Sequence, residues 1–222
     1  DMLPRILNNL GEENAKKAHE YMEKKLNVEV RLNTAVKEVT AEGFSTGNEF
    51  IKTKTLMWAA GVRANNDVDE MQLGKPCRAN RVEVDQYCRT DYKNVYAIGD
   101  VSGLICPIDD REYPAMVENA LQTGHGVAKN IFNDINSKEQ ETVEVKMHGI
   151  MVSIGNYFTV SEIMGKKLPV WLSIIMKYLV NMHYLFGITG FAGVARYLYH
   201  EVLERRQRKH FFEQHWSRRM QA

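Results

Sequence analysis

An apolar run that ends in Gly-Asp is the strongest local sign of chemistry in this sequence. Residues 95–100 read Val-Tyr-Ala-Ile-Gly-Asp, which predicts a buried strand with Gly99 and Asp100 at its carboxyl end. Ligands of open α/β sheets bind at that edge. Gly99 permits close approach of the backbone, and the Asp100 carboxylate accepts hydrogen bonds from sugar-like hydroxyls. The alternative is a turn-forming aspartate after an ordinary strand, and spacing alone favours that alternative.

A second apolar run ends in small residues. Residues 55–61 read Thr-Leu-Met-Trp-Ala-Ala-Gly, which predicts a buried strand whose end, at Gly61, lies close to another group. Apolar residues at helical spacing then predict a long helix over residues 114–133, with Glu118 and Gln122 near its start.

Shorter patterns predict the elements that would position these residues. A helix is predicted over residues 12–26, with Asn27 as its end. Strands are predicted over residues 28–32, 35–39, 44–51 (a hairpin that turns at Gly47-Asn48), 82–84, 143–145, 149–154 and 157–163.

Length and charge limit the class of protein. The 222 residues suit one large or two small domains, and 44% hydrophobic with 26% charged residues is typical of a folded globular chain. The net charge of +1 excludes a protein that is basic overall, and we expect no nucleic-acid partner. Three scattered cysteines fit a reducing compartment and predict neither a disulfide framework nor a metal site.

Residues 170–222 differ from the rest of the chain. They carry a net charge of +5, against −4 for the remainder, and ten of the 21 aromatic residues. Helices are predicted over residues 170–184 and 194–209, joined by glycines at 187, 190 and 193. The glycines argue against a membrane span, and two amphipathic helices lying in the membrane interface fit better. The alternative is a helical hairpin that packs on the body.

The two apolar runs together resemble a known family. Residues 96–100 (Tyr-Ala-Ile-Gly-Asp) resemble the second FAD-contact motif of flavoprotein reductases with two dinucleotide-binding domains. Residues 58–62 (Trp-Ala-Ala-Gly-Val) resemble the motif that precedes it, in the same order and at the same separation. The helix through Gln122, residues 146–149 (Lys-Met-His-Gly) and the tail look like those of type II NADH:quinone oxidoreductases, which are peripheral membrane flavoproteins.

This resemblance implies a fold and a division of the chain. It implies an α/β, Rossmann-like fold in which residues 1–62 end the NADH-binding domain and residues 63–165 are the returning part of the FAD-binding domain. Residues 166–222 would form an amphipathic helical tail that docks on the membrane. FAD and NADH are the implied cofactors, although the Gly-x-Gly-x-x-Gly turns that bind them are missing from this sequence. We therefore expect a fragment of a longer enzyme, with weak or no FAD binding and no activity of its own.

The resemblance also implies roles for individual residues. Asp100 would bond the ribityl chain of FAD, Gly99 would allow the approach, and Gly61 would sit near the nicotinamide. His148, before Gly149, lies where the family places a residue near the flavin ring. The His148 imidazole would stabilise negative charge there, and Gly149 would be a cofactor-binding residue. A structural histidine is the alternative.

The first turns of the long predicted helix would meet the flavin and the quinone. There the family reads Ala-Gln-x-Ala-x-Gln, and residues 117–122 read Val-Glu-Asn-Ala-Leu-Gln. Ala120 and Gln122 match, whereas Val117 and Glu118 depart. Glu118 would add an ionisable group at a quinone-facing position, either as a proton donor or as the sign of a different acceptor. The alternative is a solvent-facing glutamate on an ordinary amphipathic helix.

Three functions follow as hypotheses. In the first, NADH passes a hydride to FAD and the flavin passes two electrons to a membrane quinone, in a homodimer on the cytoplasmic face of the cell membrane. The second keeps the flavoprotein but gives it oxygen, ferredoxin or a disulfide as acceptor, which the long tail and the missing Cys-x-x-Cys pair disfavour. The third is a non-catalytic module that binds membranes through the basic tail.

Overall fold

Two compact units make up the part of the chain that the computed structural model describes, residues 1–155 and 157–219. The first unit combines residues 1–36 with those from 149 onward, and the second is residues 37–148. Side chains are described for residues 1–203 except Asp69 and Asn156. The helices and strands, in chain order, are α1 (Glu12–Leu26), β1 (Glu38–Thr40), β2 (Gly43–Ser45), β3 (Phe50–Lys52), α2 (Asn66–Glu70), β4 (Ile105–Cys106), β5 (Arg111–Glu112), α3 (Val117–Ile135), β6 (Gly149–Ile154), β7 (Phe158–Ile163), β8 (Lys166–Lys167) and α4 (Val170–Arg219).

The sheet of the first unit has an apolar face that packs on α1. Its strands pair antiparallel in the order β6-β7-β8. Val160 of β7 is buried against Leu10 and Ala18, and the Tyr21 ring stacks on Phe158 with 4.1 Å between centroids. Since α1 presents its small and apolar residues on one side, the predicted helix over residues 12–26 is confirmed in both extent and orientation.

The opposite face of the same sheet is lined by hydroxyl groups and receives α4. The Oγ atoms of Ser161 and Ser173 lie 2.6 Å apart and are fully buried. Lys177 Nζ donates to Ser153 Oγ at 2.5 Å, and Ser153 in turn contacts the Thr159 hydroxyl at 2.9 Å. The helix therefore attaches to the sheet through its polar side.

A single glycine divides α4 into two helices. Gly190 has φ +63° and ψ −162°, a conformation that is essentially restricted to glycine. Across this joint Tyr178 Oη donates to Glu201 Oε1 at 3.0 Å, and the rings of Phe186 and Phe191 meet edge to face at 4.8 Å. The predicted pair of helices is present, with its joint at Gly190. No helix in the described residues has the length and apolarity needed to cross a membrane.

The core of the second unit lies beneath α3. Buried side chains from α3, from β4 and its neighbours and from an extended segment before residue 148 form one cluster: Cys88, Leu104, Tyr113, Val127, Val143 and Val145. Strands β1, β2 and β3 form an antiparallel sheet, so the predicted hairpin around Gly47 is confirmed.

An extended segment, residues 141–148, runs along α3 in the opposite direction. Asn130 Nδ2 donates to the Glu141 carbonyl at 2.7 Å, and the Glu141 N–H donates to Asn130 Oδ1 at 2.8 Å. One turn earlier in the helix, Val127 packs with Val143 and Val145 in the core. The predicted strand over residues 143–145 is wrong, because helix side chains rather than a neighbouring strand contact this segment.

Four other predicted strands are also wrong. Residues 82–84 form no strand, and Val82 makes only isolated bridges with Pro76 and Ser102. Residues 28–32 and 55–61 pair with no strand in the described part of the chain, and Met57 and Trp58 are 88% and 66% exposed. Residues 95–98 make one bridge, between Tyr96 and Arg89, before a 3-10 turn begins at Gly99. An apolar run becomes a buried strand only where other strands and helices cover it. The predicted division at residues 62 and 165 differs from the two compact units and stays a prediction.

Replacing Gly126 by alanine should lower the free energy of unfolding by about 1 kcal/mol or more. A Cβ there would lie 2.9 Å from a Val143 methyl in the core, and the overpacking outweighs the gain of about 1 kcal/mol in helix propensity. Gly124→Ala is the matched control, because its Cβ would lie at an ordinary 3.7 Å from Ile98 and should stabilise the chain. Urea unfolding measures both, and equal stabilisation by the two substitutions would contradict the packing described here.

Candidate functional site

The Gly99–Asp100 turn packs against the first turns of α3. The Gly99 N–H donates to Thr123 Oγ1 at 3.0 Å, and Asn119 Nδ2 donates to the Gly99 carbonyl at 3.5 Å. Gly99 has φ +61°, and a Cβ there would lie 3.1 Å from the Ala120 Cβ. Only glycine combines this backbone conformation with this approach. The turn leaves the Asp100 carboxylate exposed to solvent beside the start of α3.

Two side chains of α3 bind the end of the segment 141–148. Gln122 Nε2 donates to the Lys146 carbonyl at 3.0 Å, and the Lys146 N–H donates to Gln122 Oε1 at 2.9 Å. One turn earlier, both oxygens of the Glu118 carboxylate contact His148: the backbone N–H donates to Oε2 at 3.2 Å, and the ring Nδ1 lies 2.9 Å from Oε1. The structure therefore brings the three predicted catalytic residues, Glu118, Gln122 and His148, to one end of α3.

The start of α3 has no side-chain cap and, among the described residues, a buried acceptor without a partner. The N-cap residue, Met116, makes no side-chain hydrogen bond to the first turn, so the amide groups there keep their partial positive charge. Val117, at the first helical position, is 57% exposed. Asn119 Oδ1 is buried and has no hydrogen-bond partner among the described residues. These features suit a polar group at the helix start that can both donate and accept hydrogen bonds.

Two of the predicted cofactor-binding glycines lie elsewhere. Gly61 is in an exposed loop with φ +121°, and nothing lies within 4 Å of the position of its Cβ. Gly149 begins β6 in the first unit, where a Cβ would lie 2.2 Å from the Glu162 carbonyl oxygen. Pairing of β6 with β7 is thus enough to require glycine at 149. The cofactor roles of both glycines stay predictions.

Thr123 and Asn119 also bind the Gly99 turn, and neither role was predicted from the sequence. Each is fully buried and bonds the Gly99 turn. The available signal was spacing: residues 118 and 122, like 119 and 123, are polar pairs four apart, which places each pair on one face of a helix. Two such pairs on neighbouring faces indicate a helix whose side chains bond two different backbone segments, one on each face.

Residues 1–124, which include the Gly99–Asp100 turn and the first turns of α3, match the family model described as pyridine nucleotide-disulphide oxidoreductase. The chain belongs to this family. This confirms the α/β, Rossmann-like fold expected from the two motifs.

The individual relatives of the chain include the predicted group. The chain is 28% identical to the type II NADH:quinone oxidoreductase of Staphylococcus aureus over 191 residues. This match covers 84% of the chain and 47% of the relative. The resemblance to that group is thereby confirmed, and the chain spans about half the length of the curated relatives it matches.

Solved structures are similar in fold. NDH2 from Plasmodium falciparum in complex with NADH has a TM-score of 0.71 at 15% identity, over 87% of this chain and 55% of that one. Reduced CoADR-RHD from Bacillus anthracis has a TM-score of 0.58 at 19% identity, over 72% and 28% of the two chains. At these identities the likeness establishes the oxidoreductase fold.

Replacing Gln122 by methionine should release the segment at Lys146. Methionine keeps the length of the side chain but loses both hydrogen bonds to the Lys146 backbone, each worth about 1 kcal/mol. Amide hydrogen exchange should show faster exchange at Lys146, with little change in the core around Val127. Lys129→Met on the same helix removes only an exposed ion pair with Glu141 and should leave Lys146 protected. Unchanged protection of Lys146 in Gln122→Met would contradict the assigned contacts.

Proposed function

We propose that this chain is part of an FAD-dependent enzyme that oxidises NADH and reduces a membrane quinone. The observation that carries the proposal is the meeting of two groups at the start of α3: the Gly99–Asp100 turn on one side, and Glu118 with His148 on the other. One side suits a cofactor with hydroxyl groups, and the other suits a substrate that gains protons. The relatives named as NADH:quinone oxidoreductases support the same reaction.

The residues at this helix start fit the flavin end of FAD. Asp100 would accept a hydrogen bond from the ribityl chain, because its carboxylate is exposed beside a glycine that permits close approach. The uncapped amides of the first turn, next to Val117, would donate to the polar edge of the ring. When bound, FAD supplies the two-electron chemistry between NADH and the acceptor, and the protein supplies binding and electrostatics.

The remaining cofactor assignments extend this proposal. Gly61 would lie near the nicotinamide of NADH, and Gly149 near the flavin. Gln122 keeps one amide N–H and one oxygen lone pair beyond its two bonds to Lys146, so it can still contact a quinone oxygen. Activity would belong to the longer enzyme, and we propose that this chain alone is inactive.

The tail supports a peripheral membrane location. Since Ser173 and Lys177 attach α4 to the sheet, the apolar side of that helix is left facing away from it, with Trp171 at 64% exposure and Ile175 and Leu179 about half exposed. At the joint around Gly190 the Phe191 ring is 82% exposed. Exposed aromatic and aliphatic residues with a basic sequence beyond them are typical of an interfacial helix. We place this tail on the cytoplasmic face of the cell membrane.

The basic side chains of the tail beyond residue 203 lie outside the described residues. In the sequence, residues 170–222 as a whole carry a net charge of +5. A homodimer is part of the proposal on the resemblance alone, and sedimentation velocity of the purified protein would test it.

A different acceptor is the second candidate, and Glu118 is its reason, since the family pattern has glutamine there. A disulfide acceptor is disfavoured by the cysteines, which are all free in the described chain. Burial raises the pKa of the Cys88 thiol to about 12 and also raises the pKa of Cys77. Neither thiol is a ready nucleophile at neutral pH.

Full-length protein carrying this chain should oxidise NADH at a rate that depends on a soluble quinone. The measurement is the loss of NADH absorbance with and without a short-chain quinone, together with the quinol formed. One quinol should appear for each NADH consumed. NADH oxidation that produces no quinol, with oxygen or ferredoxin reduced instead, would sink the quinone assignment and favour the second candidate.

Vesicle binding tests the tail. Ile188→Ser with Phe191→Ser should weaken binding to mixed phosphatidylcholine–phosphatidylglycerol vesicles by about tenfold or more, because burial of each large apolar side chain is worth about 1.5–3 kcal/mol. Ile108→Ser, at a residue that is 92% exposed in the second unit, is the control and should bind normally. Flotation of the full-length protein measures both. Equal binding by all three proteins would exclude the joint around Gly190 as the contact.

A further inference from the structure

The Glu118 carboxylate bonds both the backbone and the ring of His148. Glu118 receives the His148 backbone N–H on one oxygen and the ring Nδ1 on the other, at 3.2 and 2.9 Å. The backbone bond holds the residue against α3, and the ring bond sets the direction of the imidazole. Two bonds from one carboxylate to one residue leave the ring little freedom to turn.

The chemistry of a carboxylate then fixes which ring nitrogen carries a hydrogen. An ionised carboxylate only accepts hydrogen bonds, so Nδ1 must be the donor in this contact. A proton that His148 passes to another molecule must therefore leave from Nε2, because Nδ1–H stays bonded to Glu118. The same division of labour between carboxylate and imidazole orients catalytic histidines in hydrolases.

The surroundings of the ring combine access to water with an apolar surface. The His148 side chain is 66% exposed, whereas that of Glu118 is 32% exposed. Val117 and Leu121, on the same turns of α3, and Met147, next to the histidine, are exposed apolar residues. An apolar ring that carries carbonyl oxygens can lie on such a surface with an oxygen beside an imidazole.

We propose that His148 Nε2 delivers a proton to the quinone and that Glu118 is the positioning residue that holds the imidazole for this transfer. This inference depends on the proposed function, since it names the proton donor for that substrate. It gives the departure of Glu118 from the family pattern a purpose, because glutamine at 118 carries no charge to balance an imidazolium.

The proton balance requires such a donor. NADH and quinone yield NAD⁺ and quinol only when one proton is taken from water, since the hydride brings two electrons and one proton. In the proposed step the Nε2–H bond of the imidazolium breaks and an O–H bond forms on the reduced quinone oxygen. The ring is left neutral with Nδ1–H on Glu118, and its exposed Nε2 takes the next proton from water.

The competing explanation is that Glu118 and His148 only fasten the segment 141–148 to α3. The two explanations differ in what a small molecule can restore. If the pair only fastens the segment, added imidazole does not repair its loss. If His148 is the proton donor, the protonated form of free imidazole replaces it in part. They also differ between acceptors, because ferricyanide takes electrons without taking a proton.

The test compares four forms of the full-length protein: wild type, His148→Ala, Glu118→Gln and the control His125→Gln. His125 is an exposed histidine on α3 whose ring contacts the Leu121 carbonyl of its own helix. NADH-dependent reduction of a soluble quinone and of ferricyanide is measured for each, with and without added imidazole. Ring ¹⁵N chemical shifts of ¹⁵N-histidine-labelled wild type and Glu118→Gln report the hydrogen on Nδ1 independently of activity.

We expect His148→Ala to lower quinone turnover at least tenfold more than ferricyanide turnover, and imidazole to restore part of the loss of quinone turnover. Glu118→Gln should fall between wild type and His148→Ala and should shift the Nδ1 signal, and His125→Gln should match wild type. A His148→Ala protein that keeps its quinone turnover, or that loses both acceptors equally without rescue, overturns the proton assignment alone. A wild type that reduces ferricyanide but no quinone overturns the proposed function and the assignment with it.

Discussion

Hydrogen bonds from the side chains of α3 to the backbones around it are the interaction on which the second unit depends. Amide side chains on one face of α3 bond both the backbone N–H and the backbone C=O of a residue in the segment 141–148. Asn130 does so for Glu141, and Gln122 does so for Lys146. On the adjacent ridge, Asn119 and Thr123 do the same for the Gly99 turn. An unpaired buried backbone group costs about 1–3 kcal/mol, so the helix takes the part that a neighbouring strand plays in a sheet.

This arrangement explains why the candidate site lies at the start of α3. Contacts spaced by one helical turn run from Asn130 through Gly126 and Gln122 to Glu118, and the last of them meets His148. The contacts at Asn130, Gly126 and Gln122 only hold the segment 141–148 against the helix. Glu118 is the contact closest to the uncapped end of the helix, where exposed apolar residues replace the buried core.

Local periodicity was enough to predict the long helices. It failed to predict the strands, because whether a segment pairs as a strand depends on residues far away in the sequence. The helix over residues 12–26 follows from apolar spacing and from Asn27, which adopts the left-handed conformation that ends α1. Apolar spacing also predicted α3, with bounds that differ by three residues at its start and two at its end. Residues 55–61 and 143–145 have the composition of strands, yet no strand of the described chain pairs with them. The contact of Glu118 with His148 joins residues 30 apart through a segment without regular structure, so no periodic pattern could predict it.

The orientation of α4 has a thermal consequence. Its attachment to the sheet is made by hydroxyl and ammonium groups of Ser173, Ser161 and Lys177, while its aromatic side remains in contact with water. Covering that side, by lipid or by another protein, removes apolar surface from water and carries a negative change in heat capacity. The enthalpy of such an association must become more favourable as temperature rises, whereas burial of polar groups, as where the helix meets the sheet, changes the heat capacity in the opposite direction. A change in temperature therefore alters the enthalpy of covering the aromatic side of α4 differently from the enthalpy of its polar contacts with the sheet.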